Sequence, residues 1–444
     1  MADILPFRGI IYNRTKVRNY AEVIAPPFDV ISKKDQDVFY ERNPYNVVRL
    51  ILGKTTEYDT RQNNPHSRAA EHLTSWLEEG ILVREETPAV YLTAVDFPYE
   101  NRTHTRFGLI VRTRLHAFDE GVILPHEHTF TNVKSERLSL MKACRANFSP
   151  IFSMVADNDG EFLERTTTVA GTETAALNFE GFDGRHYRMW RLTDPALIHE
   201  FQHGLKHQPF FIADGHHRYE TALNYRNWLR QSASGCDAEH PANYVMMYLT
   251  SMRDPGLIIR PAHRMLKDVP RDALTGFMPA AEGYFNVEEI VFPENERRRA
   301  LAELKRRLRS KPPEVAVGAY LKDKRSFFLL TLKTPDVMRD HFGNELHPSL
   351  RDLDVTVLTR LIFMEIMGFD HDRLDNEKLI QYTTEPEAAV ASVKSGEFDA
   401  CFILNATGVH QVREIALQGQ VMPRKATYFY PKVVTGLVMN LLET

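Results

Sequence analysis

Two spacings of apolar residues alternate along the chain and predict interleaved helices and strands. Residues 67–79 carry apolar side chains at helical spacing, so they predict an amphipathic helix. The alternating segments 89–96 and 105–115 predict a β-hairpin, and 315–320 and 326–332 predict a second one. These elements together indicate a mixed α/β (α+β) protein.

Two further apolar runs predict one strand and one buried helix. Val47–Leu52 is interpreted as a strand and Asp354–Met367 as a buried helix. The polar segment Gln231–Asn243 is interpreted as a loop at a domain boundary, which predicts domains 1–240 and 241–444. Lys311-Pro312-Pro313 is predicted to be a hinge.

The stretch Phe210–Leu223 organises the interpretation of the whole chain. It begins as a short apolar strand, breaks at Gly215, and continues with the apolar spacing of a helix. A strand, a glycine turn and a helix in this order direct the free N–H groups of the first helical turn at one point. That geometry favours an anion such as phosphate.

The side chains of this turn suit a phosphate ligand. Gly215 lets a phosphate approach the main chain, His216 and His217 offer ring N–H groups, and Arg218 offers a planar fork. Asp214 is placed to hold Mg²⁺ or a substrate hydroxyl. The alternative is a plain polar turn in which Asp214 is only a helix N-cap.

His126-Glu127-His128 is a second cluster with open alternatives. If the segment is extended, His126 and His128 face one way and form a metal pair that His216 or His217 completes. Otherwise Glu127 serves as a general base or Mg²⁺ ligand, or the segment is a structural loop.

The C-terminal segment Met422–Lys432 carries two lysines around aromatic residues. Lys425 and Lys432 form a second anion-holding edge in one interpretation. In the other they protect an edge strand against aggregation.

Composition excludes several classes of protein. The 444 residues carry a formal net charge of −4, which gives no electrostatic footprint for nucleic acid. No apolar stretch approaches the roughly 20 residues that span a bilayer. The N-terminus lacks a secretory pattern and the three cysteines form no framework, so we expect a cytoplasmic protein with no membrane partner. The oligomeric state is left open.

Several short motifs in order resemble the bacterial domain-of-unknown-function family 1015. The resemblance covers nearly the whole chain and rests on Ala25-Pro26-Pro27-Phe28-Asp29-Val30, Asn43-Pro44-Tyr45, His126-Glu127-x-Thr129, Ala146-Asn147-x-Ser149-Pro150-Ile151-Phe152, Ala213-Asp214-Gly215-His216-His217-Arg218 and Met422-Pro423-x-Lys425-x-Thr427-Tyr428-Phe429-Tyr430-Pro431-Lys432.

The Asp-Gly-His-His-Arg turn is also similar to the phosphate motif of the ParB/sulfiredoxin superfamily. The sulfiredoxin thiol is missing, because His216 follows Gly215. The Gly-Glu-Arg-Arg motif and the DNA-binding helix-turn-helix of ParB-type switches are missing too. The turn matches the Asp-Gly-His-x-Arg motif of free-serine kinases at Asp214, Gly215, His216 and Arg218. In those enzymes an upstream glutamate is thought to take the proton of the serine hydroxyl.

The resemblance implies a ParB/sulfiredoxin-like phosphate-binding unit in the N-terminal domain and a kinase-like phosphotransferase. The expected donor is ATP, ADP or pyrophosphate with Mg²⁺, and the expected acceptor is a small hydroxylated metabolite, with L-serine favoured. Gly215, His217, Arg218 and Lys425 are expected to bind the donor, and Asp214 and Glu127 the metal. The expected catalytic residues are Glu127, with Glu136 in reserve as the base, Asp214 and His216. The alternatives are a non-catalytic nucleotide or phosphate sensor and a metal-dependent hydrolase.

Overall fold

The computed structural model describes residues 2–129, 131–231, 236–311 and 314–443, without the side chains of residues 131–133. Residues 232–235 of the predicted boundary loop and both prolines of the predicted hinge lie outside these ranges. The described chain forms two compact units, residues 1–258 with 431–444, and residues 259–430.

The strands are β1 (Ile4–Leu5), β2 (Ile10–Tyr12), β3 (Leu82–Arg84), β4 (Val90–Tyr99), β5 (Arg102–Arg114), β6 (Ile123–Leu124), β7 (Ala146–Asn147), β8 (Ile151–Val155), β9 (Leu177–Glu180), β10 (His186–Leu192), β11 (Phe210–Asp214), β12 (Tyr244–Ser251), β13 (Ile258–Arg260), β14 (His263–Leu266), β15 (Phe285–Val291), β16 (Ala316–Leu321), β17 (Ser326–Leu332), β18 (Ile380–Thr383), β19 (Ala400–Ile403), β20 (Tyr428–Tyr430) and β21 (Asn440–Leu441).

The α-helices are α1 (Lys33–Arg42), α2 (Val48–Ile51), α3 (Pro65–Glu78), α4 (Thr131–Cys144), α5 (Glu161–Thr172), α6 (Pro195–Leu205), α7 (His216–Gln231), α8 (Arg271–Tyr284), α9 (Arg297–Arg309), α10 (Asp336–Phe342), α11 (Pro348–Arg351), α12 (Asp354–Thr356), α13 (His371–Asp375), α14 (Pro386–Lys394) and α15 (Val409–Leu417). A π-helical segment, Val357–Ile366, continues α12.

The first unit is built on a nine-stranded mixed sheet in the order β6-β11-β8-β12-β5-β4-β10-β9, with β1 paired to β5. Strand β11 runs parallel to β6 and antiparallel to β8. The register of β11 and β8 shifts between Ile212 and Asp214, and such irregularities re-aim the side chains beside them. Helices α5, α6 and α7 contribute Phe162, Phe201 and Tyr219 to the core of this sheet.

The C-terminal segment 431–444 returns to the first unit. Isolated bridges join Thr435 to Ala25 and Met439 to Ile10, and β21 pairs with β7. Strand β12 lies in the middle of the first sheet, between β8 and β5. The compact units therefore divide the chain at Ile258 and again at Pro431, and not at the expected position 240/241.

The second unit contains a six-stranded sheet in the order β15-β17-β16-β19-β14-β18. Its strand pairs are antiparallel. Helix α9 packs Leu301, Leu304 and Leu308 into the core of this unit, and α14 adds Val390 and Val393. A mixed α/β class is thus confirmed for the chain.

Both predicted hairpins and the helix predicted at 67–79 are confirmed by β4–β5, β16–β17 and α3. The strand predicted at Val47–Leu52 is wrong, because this run forms helix α2. Asn46 accepts a hydrogen bond from the Val48 N–H at 2.9 Å and so begins a helical turn. A short apolar run has no clear periodicity that separates helix from strand.

No helix among the described residues combines the length and the apolar character that crossing a membrane requires.

Candidate functional site

Strand β11, a glycine turn and helix α7 build the predicted anion-binding turn. Gly215 has φ +98°, a backbone conformation that side chains disfavour. A Cβ atom at this position would also lie 2.9 Å from the Arg218 guanidinium carbon. The strand, the break and the helix are therefore confirmed, and glycine is required where the strand meets the helix.

The first turn of α7 leaves backbone donors available. The first hydrogen bond that closes this turn runs from the Tyr219 N–H to the Gly215 carbonyl at 3.0 Å. Within the described ranges, no acceptor pairs with the backbone N–H of His216 or Arg218. These groups and the positive end of the helix dipole suit a negatively charged ligand.

Asp214 ends β11 and is held by two cations. Arg218 Nη2 donates to Asp214 Oδ2 at 2.7 Å, and Lys432 Nζ donates to Oδ1. The three side chains are 11–14% exposed. Burial alone would raise the pKa of Asp214, but Lys432 and Arg218 outweigh it and hold the pKa at about 2. The carboxylate is therefore ionised throughout the neutral range. We call these three residues the Asp214 cluster.

Lys432 reaches the Asp214 cluster because the buried Arg106 holds the neighbouring residue. Arg106 donates to the Pro431 carbonyl at 2.6 Å and to the Tyr248 hydroxyl at 3.0 Å. Its guanidinium lies 4.6 Å from the ring centre of Phe152, the residue that faces Asp214 across the sheet. A layer of rings and guanidinium thus supports both the lysine segment and the strand end.

His126 and His216 form a buried, neutral pair beside the turn. The His216 Nε2 atom accepts a hydrogen bond from the His126 backbone N–H at 3.3 Å, and the rings are nearly perpendicular. Burial lowers the pKa of His126 to about 4 and that of His216 well below its ordinary value. Glu127 Oε2 lies 3.7 Å from His216 Nδ1, which is beyond hydrogen-bonding distance. Glu127 is thus brought to the turn, as predicted from the sequence.

The extended arrangement considered for His126-Glu127-His128 is wrong, because the segment follows the short strand β6 without joining it. His126 is completely buried and His128 is exposed, so the two rings do not form a pair. Across the residues that the structure describes, no group of three or more His, Cys, Asp or Glu side chains is placed to hold a metal ion.

Asp29 is the acidic residue that the sequence-based assignment of the site missed. It lies in a short 3₁₀ turn, Phe28–Val30, directly after Pro27. The residue is exposed to solvent, although many protein atoms lie near its carboxylate. This crowding and the charge of Asp214 raise its pKa, against the opposing charges of Arg218 and Lys432. The feature of the sequence that could have identified Asp29 is the stiff Pro-Pro loop directly before it.

The remaining predicted residues occupy different settings. His217 is half-buried in the first turn of α7. Glu136 is bound by His66 at 3.0 Å and by Arg137, and its assignment as the reserve base stays a prediction. Lys425 belongs to the second unit, where it has φ +54° and its carbonyl accepts from Arg264 at 3.2 Å. Its assignment to the donor stays a prediction.

Three solved structures resemble parts of this fold. A conserved hypothetical protein from Pyrococcus furiosus is 13% identical with a TM-score of 0.34, covering 73% of this chain and 92% of its own. A free serine kinase in complex with AMP is 13% identical with a TM-score of 0.33, covering 72% and 86%. SbnI with a C-terminal truncation, from Staphylococcus aureus, is 11% identical with a TM-score of 0.31, covering 72% and 85%. At these values the similarities carry no argument about activity.

No curated protein matches the sequence. The family model described as protein of unknown function (DUF1015) matches residues 4–356, which is most of the chain. The chain therefore belongs to the DUF1015 family.

Proposed function

We propose that the protein is a small-molecule phosphotransferase that moves a phosphoryl group from a nucleotide or pyrophosphate to the hydroxyl of a small metabolite. The Asp214 cluster at the start of α7 is the observation that supports this most strongly. Phosphoryl transfer asks a protein mainly for positioning and for neutralisation of oxygen charge. Two cations and the N–H groups of a first helical turn supply both.

The donor phosphates are assigned to Gly215, His217, Arg218 and Lys432. Arg218 carries five N–H donors, and it donates to Asp214 and to the Pro150 carbonyl. The Lys432 ammonium donates to Asp214. Asp214 therefore orients both cations, and Arg218 has further N–H donors for phosphate oxygens.

His216 is assigned as a neutral hydrogen-bond donor. Because its Nε2 atom accepts from the His126 N–H, the proton of the neutral ring lies on Nδ1. Burial and the nearby His126 lower the pKa of His216, so the ring stays uncharged at neutral pH. A neutral ring positions a ligand oxygen or Glu127 without adding a third cation.

Asp29 is the proton acceptor that we favour over Glu127. Its raised pKa makes it a stronger base than an ordinary aspartate, and its charge is coupled to Arg218 and Lys432. The acceptor oxygen would form its bond to phosphorus while the bond from phosphorus to the donor oxygen breaks. The hydroxyl proton passes to Asp29. The donor leaves without its transferred phosphoryl group, and the Asp214 cluster stabilises the negative charge on this leaving group.

Asp214 does not fit the predicted role of a Mg²⁺ ligand, because its two oxygens already bind Arg218 and Lys432. We assign Glu127 as the carboxylate that would hold Mg²⁺ near the phosphates. When bound, the ion would neutralise charge on the donor oxygens.

Phosphorus NMR tests the proposal directly. The protein is incubated with Mg²⁺, a donor (ATP, ADP or pyrophosphate) and a series of small alcohols that includes L-serine, and a new phosphate-ester signal is expected with one donor. Release of inorganic phosphate without an acceptor would indicate the hydrolase, and stoichiometric zinc in the purified protein would add to that. Donor binding without any turnover would indicate a sensor and contradict the transferase.

A further inference from the structure

A cavity in the first unit reaches the Asp214 cluster at Arg218. Its wall is largely apolar and includes Phe28, Ile51, Leu140, Met141, Phe148 and Ile151. Its enclosed volume is about 60 Å³, and it opens to solvent. We call it the Phe28 cavity. This volume exceeds the roughly 10–15 Å³ that one water molecule needs, so the cavity admits a small apolar group.

The polar side chains around the Phe28 cavity are mostly committed to the protein itself. Ser149 pairs with Thr435 at 2.7 Å, and Thr221 donates to the His217 carbonyl at 2.6 Å. Arg137 donates to the Ile51 carbonyl at 2.6 Å and stacks 4.1 Å from the centre of the Phe28 ring. Because these polar groups bind other parts of the protein, the wall offers mainly apolar contacts to an occupant.

Asn147 is the exception. Its amide oxygen accepts from the Met246 N–H at 3.2 Å and from Asn440 at 3.1 Å. Its NH₂ group has no acceptor in the part of the chain that is described. The side chain is 5% exposed and lines the cavity, so it offers a donor to an occupant.

The cavity lies next to the groups that the proposed reaction needs. Arg218 lines it and also binds Asp214. Phe28 lines it too, and the next residue, Asp29, is electrostatically coupled to Arg218. A hydroxyl group at the Arg218 end would therefore approach both the phosphates and the proton acceptor.

We propose that the Phe28 cavity binds the acceptor, and that the acceptor is an alcohol with an apolar or aromatic body and not free L-serine. This inference rests on the proposed function. The side chain of serine has a single methylene and would leave most of the wall uncovered. One methylene in a hydrophobic pocket changes kcat/KM by about 10-fold to 200-fold, so an apolar body decides the choice of acceptor.

The test compares L-serine, ethanol, n-hexanol and 2-phenylethanol as acceptors with the same donor. We expect kcat/KM to rise by at least about tenfold from ethanol to 2-phenylethanol, with L-serine near ethanol. Transfer to L-serine as efficient as to 2-phenylethanol would overturn this inference and leave the phosphotransferase standing. Absence of transfer to every alcohol would overturn both.

A variant that fills the cavity tests the same inference, and the same substitution in the second unit provides the matched control. Met141→Phe places a ring in the wall and should lower kcat/KM for 2-phenylethanol by about tenfold or more, while donor binding stays unchanged. Met364→Phe makes the same change at a half-buried methionine of the second unit and should have no such effect. Ile51→Phe is a second filling variant if Met141→Phe lowers the melting temperature. Unchanged kinetics in a folded filling variant would contradict the assignment.

Discussion

The Lys432 ammonium and the Asp214 carboxylate form an ion pair that joins the C-terminal segment to the end of strand β11. Lys432→Met removes one of the two cations, so the pKa of Asp214 should rise. We expect a loss of about 1–3 kcal/mol in the free energy of unfolding, since Arg218 still pairs with the buried carboxylate. Urea unfolding measures this change, and donor affinity should fall with it.

Lys425→Met is the comparison that separates the two lysines. The sequence-based prediction assigned Lys425 to the donor, whereas the ion pair with Asp214 belongs to Lys432. We expect the larger loss of donor affinity in Lys432→Met. A larger loss in Lys425→Met would restore the original assignment.

The buried His126 should make stability depend on pH. Its pKa in the folded protein is about 4, below the ordinary 6.5, because burial disfavours the charged ring. Stability is therefore unaffected by His126 above pH 6.5, where the ring is neutral in both states. It falls as the pH drops towards 4, because the ring of the unfolded chain takes up a proton first. The loss amounts to about 3 kcal/mol across that window. Urea unfolding at pH 7 and pH 4.5 should show a smaller difference in His126→Asn than in the wild type.

Asp29 should set the acidic side of the pH–rate profile. Crowding and the charge of Asp214 raise its pKa, so kcat/KM should increase with pH through a value above that of an ordinary aspartate. Asp29→Asn should abolish this limb and reduce turnover by at least about 100-fold. Glu127→Gln is the parallel variant. If it removes the limb while Asp29→Asn leaves it in place, Glu127 is the base.

Two glycine variants test whether the turn needs its conformation. Gly215→Ala should destabilise the protein by about 1–3 kcal/mol and weaken phosphate binding, because φ is +98° and the added carbon meets Arg218. Gly276→Ala, in helix α8, meets no atom within 4 Å and should be stabilising by about 0.5–1 kcal/mol. Equal effects on the melting temperature would contradict this reading of Gly215.

Local spacing was sufficient to predict the central turn, since strand, glycine and helix all lie within Phe210–Leu223. The partners of that turn were harder to predict. Lys432 lies 218 positions from Asp214 and reaches it only because segment 431–444 folds back onto the first unit. The position of Asp29 depends on the path of the Pro-Pro loop. The shifted register at Asp214 depends on how β11 pairs with β8. Pattern analysis does not supply contacts of this kind.

The measurement that tests the central claim most directly is calorimetric titration of ADP and of pyrophosphate into the wild type and Arg218→Ala, with Arg226→Lys, in the same helix, as the control. We predict that one ligand binds the wild type and the control equally. Its affinity should fall at least about tenfold in Arg218→Ala, because charge-assisted contacts to phosphate are lost. Equal affinity in wild type and Arg218→Ala, or no binding of either ligand to the wild type, would contradict a phosphate site at this turn.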